Sequence, residues 1–132
     1  MASNPCIIED SIWIKTTPAR LFNALSVGSE LAHWWPLAAE SDPKPGGKIV
    51  LTWFNGSTME SRFETFIPEK EVAYPFYTEK LSFTLTPEKD GTKVAVRHQC
   101  DGDSAIHVSQ CWGRLTAYLK CWIEHGIDLH RD

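Results

Sequence analysis

His98-x-Cys100 and His107-x-x-x-Cys111 are the densest set of chemistry-bearing residues in the chain, with six residues between the two pairs. Residues two apart share a face of a strand, and residues four apart share a face of a helix. Two imidazoles and two thiolates joined in that way have the donor set of a tetrahedral zinc site. A thiol with an imidazole in reach is also the minimum for nucleophilic catalysis. Two features weigh against both. No two of Cys6, Cys100, Cys111 and Cys121 stand in C-x-x-C, and the His/Cys spacing is not a standard ligand pattern. Free cysteines are also among the residues most often buried as small hydrophobes. The expectation is inert core thiols, with no metal, no cofactor and no catalytic constellation.

Other candidates read more simply as structure. Glu60 and Glu64 share a strand face with Arg62, opposite Met59 and Phe63, the pattern of a solvated charged surface. Gly46-Gly47 lacks a G-x-G-x-x-G or Walker pattern and precedes a strand, so turn geometry explains it better than a phosphate cradle. Trp34-Trp35 admits two compatible roles. One ring packs under a helix, and the other lines the entrance of a pocket, since ligand sites are mostly apolar with aromatic walls.

These residues must be positioned by the elements around them. From Ser104 to Leu129 the apolar side chains Val108, Cys111, Trp112, Leu115, Leu119, Trp122, Ile123 and Leu129 fall on one helical face, with Gln110, Arg114, Lys120 and Glu124 on the other. That predicts a helix of ~39 Å at 1.5 Å per residue. On this register Cys111 is buried and Cys121 accessible. A first strand is predicted over Ile7–Lys15 from its period-2 alternation. Thr17-Pro18 caps a short helix, and Ser29 caps a second that runs to Trp35, ended by Pro36. Residues 37–47 read as a loop. Strands follow over Lys48–Phe54, Thr58–Ile67 and Glu71–Tyr77, where Pro75 marks an edge or bulge. A hairpin pairs Lys80–Thr86 with Thr92–Cys100, turning Leu81, Phe83, Leu85, Val94, Val96 and His98 inward. The plan is α+β, with helices on one face of an antiparallel sheet.

Composition sets outer limits. At 132 residues the chain is expected to form one domain, 1–132, with a core over about 7–129. A net charge of −4 without a Lys/Arg cluster argues against nucleic acid. MASNPCIIED lacks the layout of an export signal, and no apolar run approaches the ~20 residues of a membrane span. A cytoplasmic protein with reduced thiols is the expectation.

Taken in order, TTPARLFNAL after the first strand, His33-Trp34-Trp35, SDPKPGGKI, GTKVAVRHQ and CWGRLTAYLKCWIEHG carry a resemblance. Over about Ile7–Asp128 the chain resembles the heat-shock-protein-90 ATPase activator homologue family of the START-like (SRPBCC) superfamily. The resemblance implies a helix-grip fold: a curved sheet wrapped around the C-terminal helix, with a cavity between them. It does not imply a reaction, because the superfamily includes lipid carriers, hormone receptors and cyclases. The eukaryotic co-chaperones that name the family carry a further N-terminal domain, and these residues match the C-terminal unit.

Three functions follow as expectations. The preferred one is a non-enzymatic module holding a small, largely apolar molecule between helix and sheet. Its walls would be Trp35, Trp53, Phe63, Phe83, Cys111, Trp112, Leu115 and Leu119, with His98 as the polar group that orients the ligand. The second is protein interaction, with a chaperone of the 90-kilodalton class or with a second copy. The third is an enzyme using the same pocket, which needs at least two titratable groups converging there.

Overall fold

The computed structural model describes residues 5–131. Met1–Asn4, part of the stretch read for an export signal, lie outside the described residues. Strand β1 (Pro5–Ile14) turns Ile12 and Ile14 inward and Glu9 and Ser11 to water, as the alternation requires. Helix α1 (Pro18–Ser26) starts where Thr17 Oγ1 accepts the Arg20 N–H at 3.2 Å, and it buries Leu21, Phe22 and Leu25. Helix α2 (Gly28–Leu31) is shorter than predicted. Val27, not Ser29, holds its cap position, and the chain leaves the helix before His33. Gly28 is required by contact: a Cβ there would lie 2.6 Å from the Ala39 carbonyl oxygen.

The region read as a loop after Pro36 contains a strand, β2 (Ala38–Ser41). It pairs antiparallel with β3 (Lys48–Thr52), and the backbone ladder forms it where Ala-Ala-Glu-Ser shows no β-branched signal. The predicted strand Thr58–Ile67 is two strands, β4 (Thr58–Arg62) and β5 (Thr65–Ile67), in different sheets. The chain crosses between sheets at Phe63, whose N–H donates to Gly47 O, and at Glu64, whose N–H donates to Ala73 O. Strands β6 (Glu71–Phe76), β7 (Glu79–Glu88) and β8 (Gly91–Asp101) complete a five-stranded sheet in the order β1-β8-β7-β6-β5. The other sheet is β2-β3-β4, and the two abut where Ser61 Oγ donates to Pro75 O at 2.6 Å. Pro75 lies beyond the end of β5, so its missing N–H faces no strand partner. Across β7 and β8, Leu81 pairs with His98, Phe83 with Val96 and Leu85 with Val94, all buried, in the expected register.

Helix α3 (Ala105–His125) lies across this sheet. It is shorter than the predicted span, because Gly126 takes a left-handed φ of 68° and its N–H closes on Trp122 O. Leu129 therefore falls in a separate short turn, Leu129–Arg131. The polar face is not all solvated. Lys120 Nζ donates to Trp13 O at 2.8 Å, Lys15 N–H donates to Glu124 at 2.8 Å, and Thr116 Oγ1 reaches Asp10 at 3.3 Å. These three contacts run along β1 and set the helix register. No described helix is long and apolar enough to cross a membrane.

Trp34, Phe63, Tyr74, Phe83 and Leu119 are fully buried and fill the centre of the core. The Tyr74 hydroxyl is the exception to good packing: it has no hydrogen-bond partner among the described residues, and burial pushes its pKa far up. An unpaired buried hydroxyl costs about 1–3 kcal/mol. Tyr74→Phe is therefore expected to raise stability by ~1 kcal/mol in chemical denaturation. A loss of stability would mean that the hydroxyl has a partner in solution.

Candidate functional site

The expected void under the middle of α3 is filled. Phe63, Phe83 and Leu119, named as pocket walls, are solid core. Alternation gave their inward direction, but four large aromatic rings occupy the space in front of them: Trp34 and Trp112 meet Phe83 edge-on at 6.4 and 5.6 Å, and Phe63 packs on Phe66 and Tyr74. The open space lies instead beside the first half of α3. It is a cleft of about 810 Å³ rather than a closed cavity.

Its walls come from separate parts of the chain. Val108, Cys111, Trp112 and Leu115 line it from α3, and Trp35 from the segment after α2. Trp53, Phe54, Asn55 and Ser57 come from the β3–β4 hairpin, where Gly56 supplies a positive φ of 88° for the turn. Phe76 comes from the end of β6, Tyr77 from the β6–β7 turn, Glu79 from the start of β7, His98 from β8, and Leu129 and His130 from the C-terminal turn. Of the expected walls, Trp35, Trp53, His98, Cys111, Trp112 and Leu115 are brought together. Trp35 is the hub, with ring centroids 5.1 Å from Trp112 and 5.7 Å from both Trp53 and Phe76. Large apolar side chains stand exposed at the mouth, Phe54 at 57%, Tyr77 at 56% and Leu129 at 42%, beside the polar Asn55, Ser57, His107 and Arg114.

His98 is placed differently from its expected role. It is 4% exposed, and both ring nitrogens are engaged within the protein. The Trp112 indole N–H donates to Nδ1 at 2.9 Å, and Nε2 lies 2.7 Å from Glu79 Oε1. An indole N–H only donates, so Nδ1 must accept, and the proton then sits on Nε2 and points at the Glu79 carboxylate. The imidazole braces the wall and leaves no nitrogen for a ligand. Glu79 is a carboxylate that meets the cleft, and it was missed because the strand was begun at Lys80. The signal was present, since Leu81, Phe83 and Leu85 continue backward in phase to position 79.

Tyr77 also escaped the sequence. It holds φ at 58°, uncommon for a bulky side chain and costing about 1–2 kcal/mol. Its hydroxyl accepts the Trp53 indole N–H at 2.7 Å, which ties the β6–β7 turn to the β3–β4 hairpin across the cleft mouth. The C-terminal turn is tied too. His130 contacts Asp128 at 2.6 Å and Pro36 O at 3.1 Å, while Asp128 also meets His33 at 3.0 Å, whose ring stacks on Trp122.

The cysteine assignments need correction. Cys111 and Cys121 are both half-buried, so the expected contrast between a buried and an accessible thiol is absent. Cys111 sits at the cleft wall with its sulfur 3.5 Å from His107 Nε2, because the stripe passes from core to cleft along the first turns of α3. Cys100 is buried, and burial pushes its thiol pKa up, with Glu79 adding to the shift. Among the described residues no three His, Cys, Asp or Glu side chains converge as a metal site would require. Gly46 and Gly47 N–H groups donate to Phe63 O and Lys44 O, so neither is free to cradle an anion. Glu60 pairs with Lys48 at 3.3 Å on the exposed face.

A family model described as activator of Hsp90 ATPase homolog 1-like protein matches residues 15–123. No curated protein matches the chain significantly. Several solved structures are similar in fold. A protein of Staphylococcus saprophyticus is 15% identical with a TM-score of 0.84, covering 93% of this chain and 95% of that one. The Aha1 dimer of Colwellia psychrerythraea is 24% identical with a TM-score of 0.79, covering 92% and 98%. A protein of Mesorhizobium loti is 16% identical with a TM-score of 0.80, covering 90% and 97%.

Proposed function

We propose, from the premise that this chain belongs to the activator of Hsp90 ATPase homolog 1-like family, that it is a single START-like unit which binds a small, largely apolar molecule in the cleft between α3 and the sheet. The observation that carries this reading is the cleft of about 810 Å³ with an aromatic hub at Trp35 and exposed apolar side chains at its mouth. Ligand sites are typically concave, of ~300–1,000 Å³, with aromatic walls and few polar groups. The reading places the protein in the cytoplasm.

Leu115 tests the location. It is buried at the base of the cleft wall on α3, so a larger side chain there grows into open space. Leu115→Trp is expected to weaken binding of Nile red, a neutral apolar dye, by about tenfold, or 1.4 kcal/mol. Its stability cost should stay within ~1–3 kcal/mol. Unchanged dye affinity in a folded variant would count against this cleft. Native mass spectrometry of protein purified without added ligand should show a bound organic molecule. Protein that is empty and also fails to take up the dye would overturn the reading.

Self-association is the second reading. The Colwellia relative is described as a dimer, and Phe54, Tyr77 and Leu129 form an exposed apolar rim that a second copy or a chaperone could cover.

A further inference from the structure

We infer that the molecule held in this cleft carries a cationic amine, and that Glu79 is the residue that selects it. The inference rests on the cleft reading above and goes further by naming the ligand's polar chemistry. Glu79 lines the cleft, and its side chain is 28% exposed, so it meets the interior without being free in water. One of its oxygens accepts a hydrogen bond from His98 Nε2–H at 2.7 Å, which fixes the carboxylate in place. With Nδ1 accepting from Trp112, His98 donates through Nε2 and Glu79 is the acceptor of that bond. Among the described residues no Lys or Arg lies within ion-pair distance of Glu79. Its neighbour Lys80 points to the other face of the sheet, by strand alternation.

A partly desolvated carboxylate with no Lys or Arg partner asks for a cation from the ligand. The rings around it favour the same charge. Trp35, Trp53, Phe76 and Trp112 present π-faces and edges to the cleft, and aromatic faces attract ammonium groups. Arg114 and His107 also face the cleft from α3. Both are exposed, however, so water and salt screen them far more than they screen Glu79. The polar preference of the interior is therefore set by Glu79, and the rim charge of Arg114 is secondary.

Three probes of one shape separate the possibilities: 1-naphthylmethylamine, 1-naphthalenemethanol and 1-naphthoic acid, titrated calorimetrically into the full chain at fixed ionic strength. The amine is expected to bind about tenfold more tightly than the alcohol, and the acid more weakly than the alcohol. In Glu79→Gln, which keeps the shape and an acceptor for His98, the amine-to-alcohol ratio should collapse to near unity. A melting curve establishes that this variant is folded, and the wild-type ratio alone is decisive if it is not. Alcohol or acid binding as tightly as the amine overturns the inference and leaves the cleft reading standing. So does a ratio that survives Glu79→Gln. Failure of all three probes to bind removes the cleft reading and the inference together.

Discussion

Trp112→Ala is expected to lower the free energy of unfolding by about 3–5 kcal/mol, the range for emptying an aromatic core position. Trp112 is where core and cleft meet. Its ring meets both Phe83, at 5.6 Å, and Trp35, at 5.1 Å. Removing it opens the filled core to the cleft and frees Trp35, the ring on which Trp53 and Phe76 also rest. The His98 Nδ1 atom would lose its donor while still buried, a further penalty of ~1–3 kcal/mol unless water replaces it. Trp112→Phe separates the two contributions. It retains most of the packing and removes the N–H, so its loss should be ~1–3 kcal/mol. Urea unfolding checks both, because the slope reports whether the denatured state has changed while the midpoint reports stability. A loss below ~1 kcal/mol for the alanine variant would mean that the ring contributes little to the core, contrary to its burial.

The parts of this fold that were legible in the sequence are those where burial imposes a period. Leu81, Phe83 and Leu85 against Val94, Val96 and His98 could be assigned to one face because a one-residue slip would expose all of them. Thr17-Pro18 was readable because a hydroxyl and a missing N–H have one local use each. Strand β2 was not readable, since Ala38–Ser41 owes its conformation to backbone bonds with β3 and not to its side chains. The split between β4 and β5 was hidden for a related reason. Alternation runs through Met59, Ser61 and Phe63 without interruption, and only the pairing partners change.

The site was legible in direction and not in volume. Periodicity shows that Trp35, Phe63, Phe83 and Leu115 could all point inward, but it does not encode what stands opposite each ring. Trp34 and Tyr74 fill the space near Phe83, whereas Trp35 and Leu115 border the open cleft. His98 was found for its chemistry and given the wrong task, because its partners Trp112 and Glu79 lie 14 and 19 residues away in sequence. The end of α3 was within reach of the sequence. Gly126 followed by Ile127 has the form of a left-handed C-cap, and reading it would have placed Leu129 outside the helix.

Gly47→Ala should cost on the order of 3 kcal/mol, the upper part of the range for overpacking, although it adds a single methyl group. The Lys44–Gly47 segment is a turn with proline second and Gly46 third at φ 74°, closed by the Gly47 N–H on Lys44 O at 2.9 Å. Gly46 is needed for its dihedral angle, and a Cβ there would meet nothing within 4 Å. Gly46→Ala should thus cost only about 1–2 kcal/mol, the penalty of a left-handed residue. Gly47 is needed for space. A Cβ on it would stand 1.9 Å from Asp42 O, a backbone atom that cannot rotate away. Relief requires the chain to shift, and the same residue accepts the Phe63 N–H at the crossing between the two sheets. The damage should therefore spread beyond the turn. Hydrogen exchange should show faster amides at Phe63 and Glu64 in Gly47→Ala and not in Gly46→Ala. Equal costs for the two substitutions, with exchange confined to the turn, would mean that the glycine pair matters only for turn geometry and does not hold the sheets together.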